Sequence, residues 1–302
     1  LGLLVSVALG QLLHYRGQAI VTEGRGFANA VVDYDTFDKG AWFRPASLSP
    51  FSMTLDSFDS EFASDTVAFA QARDFTAHVT VTEPDGGQHS DQIKVNSPPL
   101  TVDGAKIYLQ GNGFAPPEIT VKDGAGEMAF SGRVPFLPED TMYTSRGVVK
   151  VPDVSDGQEQ IGLVGYFLPT AVVEEDGSAR SVFPQPQNPL MVLEVYRGDL
   201  GLDDGVPQNV YRLDTASLTP SVDEDGETIK LLVKPGGDGR AAPTASAPSP
   251  WARRCPRYVA LDLRYDPSLG WVLTFSLLAL AGLAVSLFTP RRRVWVRSWE
   301  AT

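Results

Sequence analysis

Short runs of alternating hydrophobic and polar residues fill most of the chain. In Phe75–Thr82, four apolar residues alternate with Thr76, His78, Thr80 and Thr82. Successive side chains of a β-strand point to opposite faces, so this period of two predicts a half-buried strand. The same pattern predicts strands at Lys106–Gln110, Glu118–Lys122, Ile161–Leu168, Met191–Arg197, Thr228–Val233 and Arg257–Tyr265.

Turn sequences separate these runs. Asp-Gly pairs favour the tight turns of β-hairpins, because glycine adopts a positive φ without steric cost. The chain has 28 glycines and 23 prolines, and helical periodicity is scarce. We therefore predict a mostly β fold, with an exported antiparallel sandwich or barrel-like domain flanked by transmembrane helices. Turns are expected at Asp85-Gly86-Gly87, Asp103-Gly104, Asp123-Gly124, Asp176-Gly177 and Asp225-Gly226.

Both ends of the chain are apolar. Leu269–Thr289 contains no charged residue, and as a helix it reaches about 30 Å, the thickness of the hydrocarbon core of a bilayer. We predict a transmembrane helix over 269–289. Leu1–Leu13 is interrupted only by Gln11 and would cover only about 20 Å. We interpret residues 1–15 as the end of a transmembrane helix that starts before Leu1, and expect the chain to be a fragment.

The charge distribution indicates which side of the membrane each segment occupies. Residues 17–268 hold 20 Lys and Arg against 36 Asp and Glu, a net charge of −16, whereas residues 290–302 have a net charge of +3. Basic residues beside a transmembrane helix mark the cytoplasmic side. We therefore expect a cytoplasmic tail over 290–302, an extracytoplasmic β domain over 16–239, and a last strand with the approach to the membrane over 258–268. The acidity argues against nucleic acid and anionic lipid as partners.

Residues 240–257 interrupt the pattern with the sequence RAAPTASAPSPWARRCPR. One interpretation is a flexible linker in front of the last strand. The other is a local frameshift, because an adjacent reading frame in GC-rich codons would give a glycine turn followed by an alternating strand. In that case Cys255, the only cysteine, would have no chemical role, and neither would Trp251, Arg253 or Arg254. With one cysteine the exported domain has no internal disulfide, so its hydrophobic core must stabilise it.

Three stretches together resemble the core sequence of ResB-type (ResB/CcsB) cytochrome c biogenesis proteins. They are VNSPPLTVDGAKIYLQGNGFAP (95–116), VPFLPED (134–140) and SRGVVKVPD (145–153), and the resemblance continues in order to Arg297. Two regions depart from the family pattern: Ser97-Pro98-Pro99, which suggests a shifted turn, and residues 240–257. The residues that match the family's motifs are Asn96, Leu100, Gly104, Tyr108, Gly111, Gly113, Pro116, Pro135, Phe136, Pro138, Ser145, Gly147, Pro152 and Asp153.

The resemblance implies a non-catalytic membrane component of the System II pathway in the plasma membrane. Such a protein would assist haem delivery to apocytochrome c together with a ResC/CcsA-type membrane partner. Haem is implied for the full complex, and we expect no cofactor in this fragment. The alternative is a membrane-tethered binding or structural protein with no haem role. The sequence has no GxSxG, HExxH, P-loop or CxxCH motif, in agreement with a protein that is not an enzyme.

The motif residues are interpreted as scaffold, with glycines in turns, prolines at extended corners and the aromatic residues in the core. These aromatic residues are Tyr108, Phe114, Phe136, Tyr143, Tyr166 and Phe167. The family's membrane histidine would precede Leu1. Among the residues present, His14 is the one weak candidate for an axial haem ligand. Interfacial anchoring together with Tyr15 and Arg16 explains its position without a haem role, and we prefer that interpretation. No metal site is predicted.

Overall fold

The structure is a computed structural model that describes residues 1–65, 68–115, 119–122, 125–152, 154, 159–175, 177–202, 211–222, 228–233 and 255–289. Two α-helices occupy the ends of this part, α1 (Gly2–Leu13) and α2 (Leu269–Phe288). In chain order the strands are β1 (Tyr15–Thr22), β2 (Gly26–Ala28), β3 (Thr36–Lys39), β4 (Ser52–Phe62), β5 (Ala72–Thr82), β6 (Gln88–Lys94), β7 (Leu100–Val102), β8 (Ala105–Phe114), β9 (Ile119–Lys122), β10 (Met128–Gly132), β11 (Leu137–Pro138), β12 (Ser145–Val151), β13 (Ile161–Leu168), β14 (Ala171–Val173), β15 (Ala179–Ser181), β16 (Leu190–Arg197), β17 (Thr219–Pro220), β18 (Lys230–Val233) and β19 (Arg257–Tyr265).

Two antiparallel sheets form a sandwich. The first sheet has the order β3-β1-β19-β8-β7 and the second has the order β2-β4-β5-β6. Their inner faces share one core, in which Leu55, Val81, Ile107 and Leu261 are almost completely buried. Alternate positions along each strand supply these residues, as the period of two predicts.

A second lobe is inserted between β8 and β19. These two strands pair along Lys106–Phe114 and Arg257–Arg264, although more than 140 residues separate them in sequence. The inserted lobe contains a third sheet, β11-β12-β13-β16-β17 with β18 also paired to β16, and two hairpins, β9–β10 and β14–β15. Its own core includes Phe136, Val151 and Phe167. The described residues between the two helices therefore form two large hydrophobic cores, one in the sandwich and one in the inserted lobe.

The pairing of β1 with β19 brings the two helices together. The register runs from Tyr15 opposite Tyr265 to Thr22 opposite Tyr258. Because α1 ends just before β1 and α2 begins just after β19, both helices leave the same end of the first sheet and contact each other. In the described part of the chain, α2 is the one helix long and apolar enough to cross a membrane, and α1 is a shorter apolar helix.

The predicted fold class is confirmed. The protein is mostly β, its named sheets are antiparallel, and no sheet closes into a barrel within the described ranges. At the Asp103-Gly104 turn both residues have positive φ, which is the backbone that a two-residue hairpin between β7 and β8 requires. The turns predicted at Asp123-Gly124 and Asp225-Gly226 lie outside the described residues, as does Asp176.

The aromatic residues of the family motifs divide between core and surface. Phe114, Phe136 and Phe167 are buried, as predicted. Tyr166 is 39% exposed, so its expected place in the core was wrong. Tyr166 lies on β13 between Gly165 and Phe167, and the strand alternation turns it away from the face that holds Phe167.

Residues 240–254 of the predicted linker or frameshifted segment lie outside the described residues, together with the tail at 290–302. The last residues of that segment are described. Cys255 is buried and packs in the core of the inserted lobe. The strand β19 begins at Arg257.

Candidate functional site

His14 lies between α1 and β1, directly after the last helical residue. Its Nδ1 is 3.1 Å from the carbonyl oxygen of Gln11, and since a carbonyl can only accept, Nδ1 is the donor. Its Nε2 is 3.9 Å from Asp38 Oδ2. The described residues contain no group of three His, Cys, Asp or Glu side chains that could hold a metal ion. Because Nδ1 is engaged with Gln11, Nε2 is the nitrogen with which His14 would hold a haem iron.

The loop after β3 closes the end of α1. The backbone N–H groups of Gly40 and Trp42 donate to the carbonyl oxygens of His14 and Leu12, both at 2.9 Å. These carbonyls at the helix end have no partner within the helix. Position 40 requires glycine, because an added Cβ would lie 2.3 Å from the Leu12 oxygen. The indole of Trp42 is left exposed beside the last turn of α1.

Aromatic rings pack where the helices meet the sandwich. The Tyr15 ring stacks on that of Tyr265, with centroids 5.4 Å apart, and also contacts Phe37 and Phe43. Burial raises the pKa of the Tyr15 hydroxyl, which keeps it neutral. This packing fixes the direction in which both helices leave the sheet.

A groove runs between the two helices. It has a volume of about 430 Å³ and its lining is largely apolar, including Val5 and Leu9 of α1 and Trp271 and Phe275 of α2. The helices approach closely at Gly10, where an added Cβ would lie 2.3 Å from Ser268 Oγ. Small residues at such points let two membrane helices pack closely.

A buried carboxylate lies on the outer face of the first sheet, above the helices. The Asp262 side chain is only 2% exposed and accepts hydrogen bonds from two arginines. Arg16 binds it through Nε at 3.0 Å and Nη2 at 2.7 Å, and Arg264 through Nε at 3.1 Å and Nη2 at 2.6 Å. Burial by itself would raise the pKa of Asp262, but the bonds from the arginines outweigh it and lower the pKa below its usual value.

A second buried charge lies at the junction of the two lobes. Arg257 begins β19, and its guanidinium lies over the rings of Phe114, Tyr143 and Phe58, at 4.3, 5.8 and 5.9 Å from their centroids. Its Nη1 donates to Asn112 Oδ1 at 3.2 Å, which also accepts from the Tyr143 hydroxyl at 3.0 Å. Burial lowers the pKa of Arg257 to about 10, so the group stays charged at neutral pH.

Glu23 links the two sheets of the sandwich at the same junction. Its Oε2 accepts from the backbone N–H of Arg257 at 2.8 Å, and its Oε1 accepts from the backbone N–H of Phe58 at 2.7 Å. The sequence pattern did not indicate that Glu23, Asn112 and Arg257 lie together in one cluster. A charged residue at the start of an otherwise apolar strand is only a weak sign of a buried ionic cluster. For Arg257, the arginines that precede it in sequence made this sign harder to recognise.

The structure brings some motif residues together and separates others. Phe136, Ser145 and Gly147 surround the core of the inserted lobe, where Ser145 is fully buried. Leu100, Gly104 and Tyr108 belong instead to the β7–β8 hairpin of the sandwich, with Asn96 at positive φ just before it. Gly111 and Gly113 lie along β8 and Pro138 is in β11, while Pro135 and Pro152 are in connecting segments. Pro116 and Asp153 lie outside the described residues.

Close packing explains several of the motif glycines. A Cβ added at Gly147 would lie 2.6 Å from the buried Phe136 ring, and one at Gly113 would lie 2.4 Å from the Tyr258 hydroxyl. These positions have a steric requirement and bear no reactive group. The structure therefore shows tight packing at these two motif glycines.

A comparison with protein-family models gives one match, the ResB-like family, over residues 1–302, which is the whole chain. No curated protein and no solved structure matches the chain.

Proposed function

Since the chain belongs to the ResB-like family, a family of cytochrome c biogenesis, we propose that it is a membrane-bound maturation factor for cytochrome c. In this role it assists the delivery of haem and its attachment to apocytochrome c, together with a ResC/CcsA-type membrane partner. The observation that supports the proposal most directly is the family match along the full sequence. The chain itself makes no covalent bond in this scheme and acts as an assembly component.

The geometry of the two helices supports a place beside a membrane partner. They leave one end of the sandwich together and present exposed apolar side chains along their length. We propose that the sandwich and the inserted lobe lie on the extracytoplasmic side of the plasma membrane, with residues 290–302 in the cytoplasm. Partner contacts within the bilayer would then use α1 and α2.

A maturation assay tests the proposal. The chain, extended by its native upstream sequence if the gene encodes one, is expressed in cells that lack their own ResB-type protein. We expect restored covalent haem attachment to cytochrome c and co-purification of the ResC-type partner with a tagged chain. The matched control carries Arg180→Gln, because Arg180 forms an exposed ion pair with Glu174, and should restore maturation as well. Absence of maturation with normal membrane levels would contradict the proposal.

Haem absorbance tests the role of His14. We expect the purified chain to show no stable Soret band when mixed with haem, and the complex with its partner to show one. We expect His14→Ala to leave the band of the complex unchanged, because anchoring explains the position of this histidine. A Soret band of the isolated chain that His14→Ala abolishes would instead identify His14 as a haem ligand.

A further inference from the structure

Three cationic residues stand side by side on the first sheet. Lys106 of β8 pairs with Arg264 of β19, and Arg264 pairs with Arg16 of β1. The row ends with Asp38 opposite Arg16 on β3 and with Thr101 opposite Lys106 on β7. Directly opposed residues of adjacent strands share one face, and like charges in such positions destabilise a sheet. The sequence thus places three repelling cations together in an exported segment that is acidic overall.

These cations are on the outer face of the sandwich. Leu263 and Ile107, their neighbours on β19 and β8, are completely buried in the core between the sheets. Strand alternation therefore directs Arg264 and Lys106 away from the core. The side chains of Arg16 and Arg264 are 46% and 52% exposed.

The buried carboxylate of Asp262 holds the two guanidinium groups in fixed positions. Each arginine uses its Nε and Nη2 atoms for that carboxylate, and neither Nη1 donates to another residue within the described part of the chain. Arg264 also lies over the Tyr108 ring at 5.2 Å. The arginine side chains are therefore ordered before any ligand arrives, which lowers the entropy cost of binding.

With α1 and α2 crossing the membrane as proposed above, the row lies close to the outer membrane surface. Arg16 is three residues beyond the end of α1, and Arg264 is five residues before the start of α2. Extended chain covers at most about 3.6 Å per residue, so Arg16 is within roughly 10 Å of the end of α1, and Arg264 and Lys106 follow on the next two strands. This is the depth at which phospholipid headgroups surround a transmembrane helix.

We propose that Arg16, Arg264 and Lys106 bind the phosphate of an anionic phospholipid in the outer leaflet. Planar guanidinium groups match the geometry of phosphate oxygens, and Lys106 adds a point charge. The cations outnumber the carboxylates of Asp262 and Asp38 by one, so binding an anionic headgroup neutralises the row. The exported segment as a whole is acidic, which argues against anionic lipid as a partner. At this row, however, the local net charge is positive. Lipid binding at this row rests on the proposed membrane topology and does not require the haem role.

Lipid association with the full chain in nanodiscs tests the proposal. The discs contain phosphatidylcholine and phosphatidylglycerol, and the fraction of motionally restricted spin label is compared for the two lipids. The variant Lys106→Gln/Arg264→Gln removes two cations and leaves the pair between Arg16 and Asp262. We expect its preference for phosphatidylglycerol to fall by about fivefold per cation. The control Arg73→Gln/Arg180→Gln makes the same change of net charge at two exposed ion pairs and should keep the preference.

Two further measurements separate the possible outcomes. Arg264→Lys keeps the charge and loses the planar guanidinium, so it should lose less of the preference than Arg264→Gln. A cooperative thermal transition above the assay temperature shows that the double variant is folded, and an unchanged lipid preference in that folded variant overturns the proposal. Displacement of labelled phosphatidylglycerol by millimolar inorganic phosphate, and not by added phosphatidylcholine, would assign the site to free phosphate and also overturn it.

Discussion

The guanidinium of Arg257 lies 4.3 Å from the centre of the Phe114 ring, where the inserted lobe joins the sandwich. Phe114 is the last residue of β8 and Arg257 is the first of β19, so the pair lies where the chain enters and leaves the inserted lobe. A cation over an aromatic face is stabilised by the ring quadrupole, and most strongly where water is excluded.

Substitution of Arg257 separates the effects of its charge and its volume. We expect Arg257→Ala to lower the free energy of unfolding by about 3 kcal/mol, because it leaves a cavity among the aromatic rings. Arg257→Met fills most of that space and removes a desolvated charge, so we expect a change within about 1 kcal/mol. Chemical denaturation of the protein in detergent measures both. Equal losses for the two variants would show that the charge stabilises the junction.

Gly147→Ala tests the packing of the family motifs. The added Cβ would lie 2.6 Å from the ring of Phe136, which is fully buried. Overpacking of this kind costs about 2 kcal/mol. Gly111→Ala is the matched control, because its Cβ would lie 3.7 Å from Ala260 Cβ in ordinary contact. Removing a strand glycine there should be neutral or stabilise by about 0.5 kcal/mol. Thermal melts that show no difference between the variants would contradict this account.

Asp262→Asn tests the carboxylate beneath the cation row. We expect a loss of about 2 kcal/mol at pH 7, since breaking a buried ion pair leaves its partners uncompensated. The pKa of Asp262 is lowered in the folded protein. Its contribution is therefore complete above the ordinary carboxyl pKa and is lost as the pH falls through the lower folded value. Denaturation curves from pH 7 to pH 2 should show the wild type and the variant converging in acid, and a constant difference would exclude this linkage.

The Cys255 thiol is expected to be unreactive. Burial raises its pKa to about 11, so the thiolate fraction at pH 8 is smaller by about a hundredfold than for a cysteine of ordinary pKa. Alkylation by iodoacetamide at pH 8 should therefore be slow by at least that factor in the folded protein. Labelling in guanidinium chloride is the control and should be fast. Rapid labelling of the folded chain would mean that Cys255 is outside the core.

Cysteine labelling also tests the orientation in the membrane. In a Cys255→Ser background, Ser298→Cys should react with an impermeant maleimide only after cells are permeabilised, because the Arg cluster is expected to stay inside. Ser217→Cys, at an exposed position of the inserted lobe, should react in intact cells. Labelling of position 298 from the outside would show the opposite orientation, with the β domain on the cytoplasmic side.

Local pattern was sufficient for much of the fold. The sequence runs at 161–168 and 257–265 predicted β13 and β19 with their observed bounds, because a period of two is read from each run by itself. The uncharged run predicted α2 through its length and composition. The ordered series of motifs indicated the ResB-like family, which the match over the whole chain supports.

Tertiary structure alone decided which strands are neighbours. A period of two indicates that a strand has a buried face, but it does not indicate which element covers that face. The placement of β19 between β1 and β8 joins segments that are far apart in sequence. That single pairing sets the two helices side by side, aligns Lys106, Arg264 and Arg16 in one row, and brings Arg257 to the lobe junction. Asp262 has an outward position on its strand and would be expected in water. It is buried because two arginines from adjacent positions of the sheet cover it.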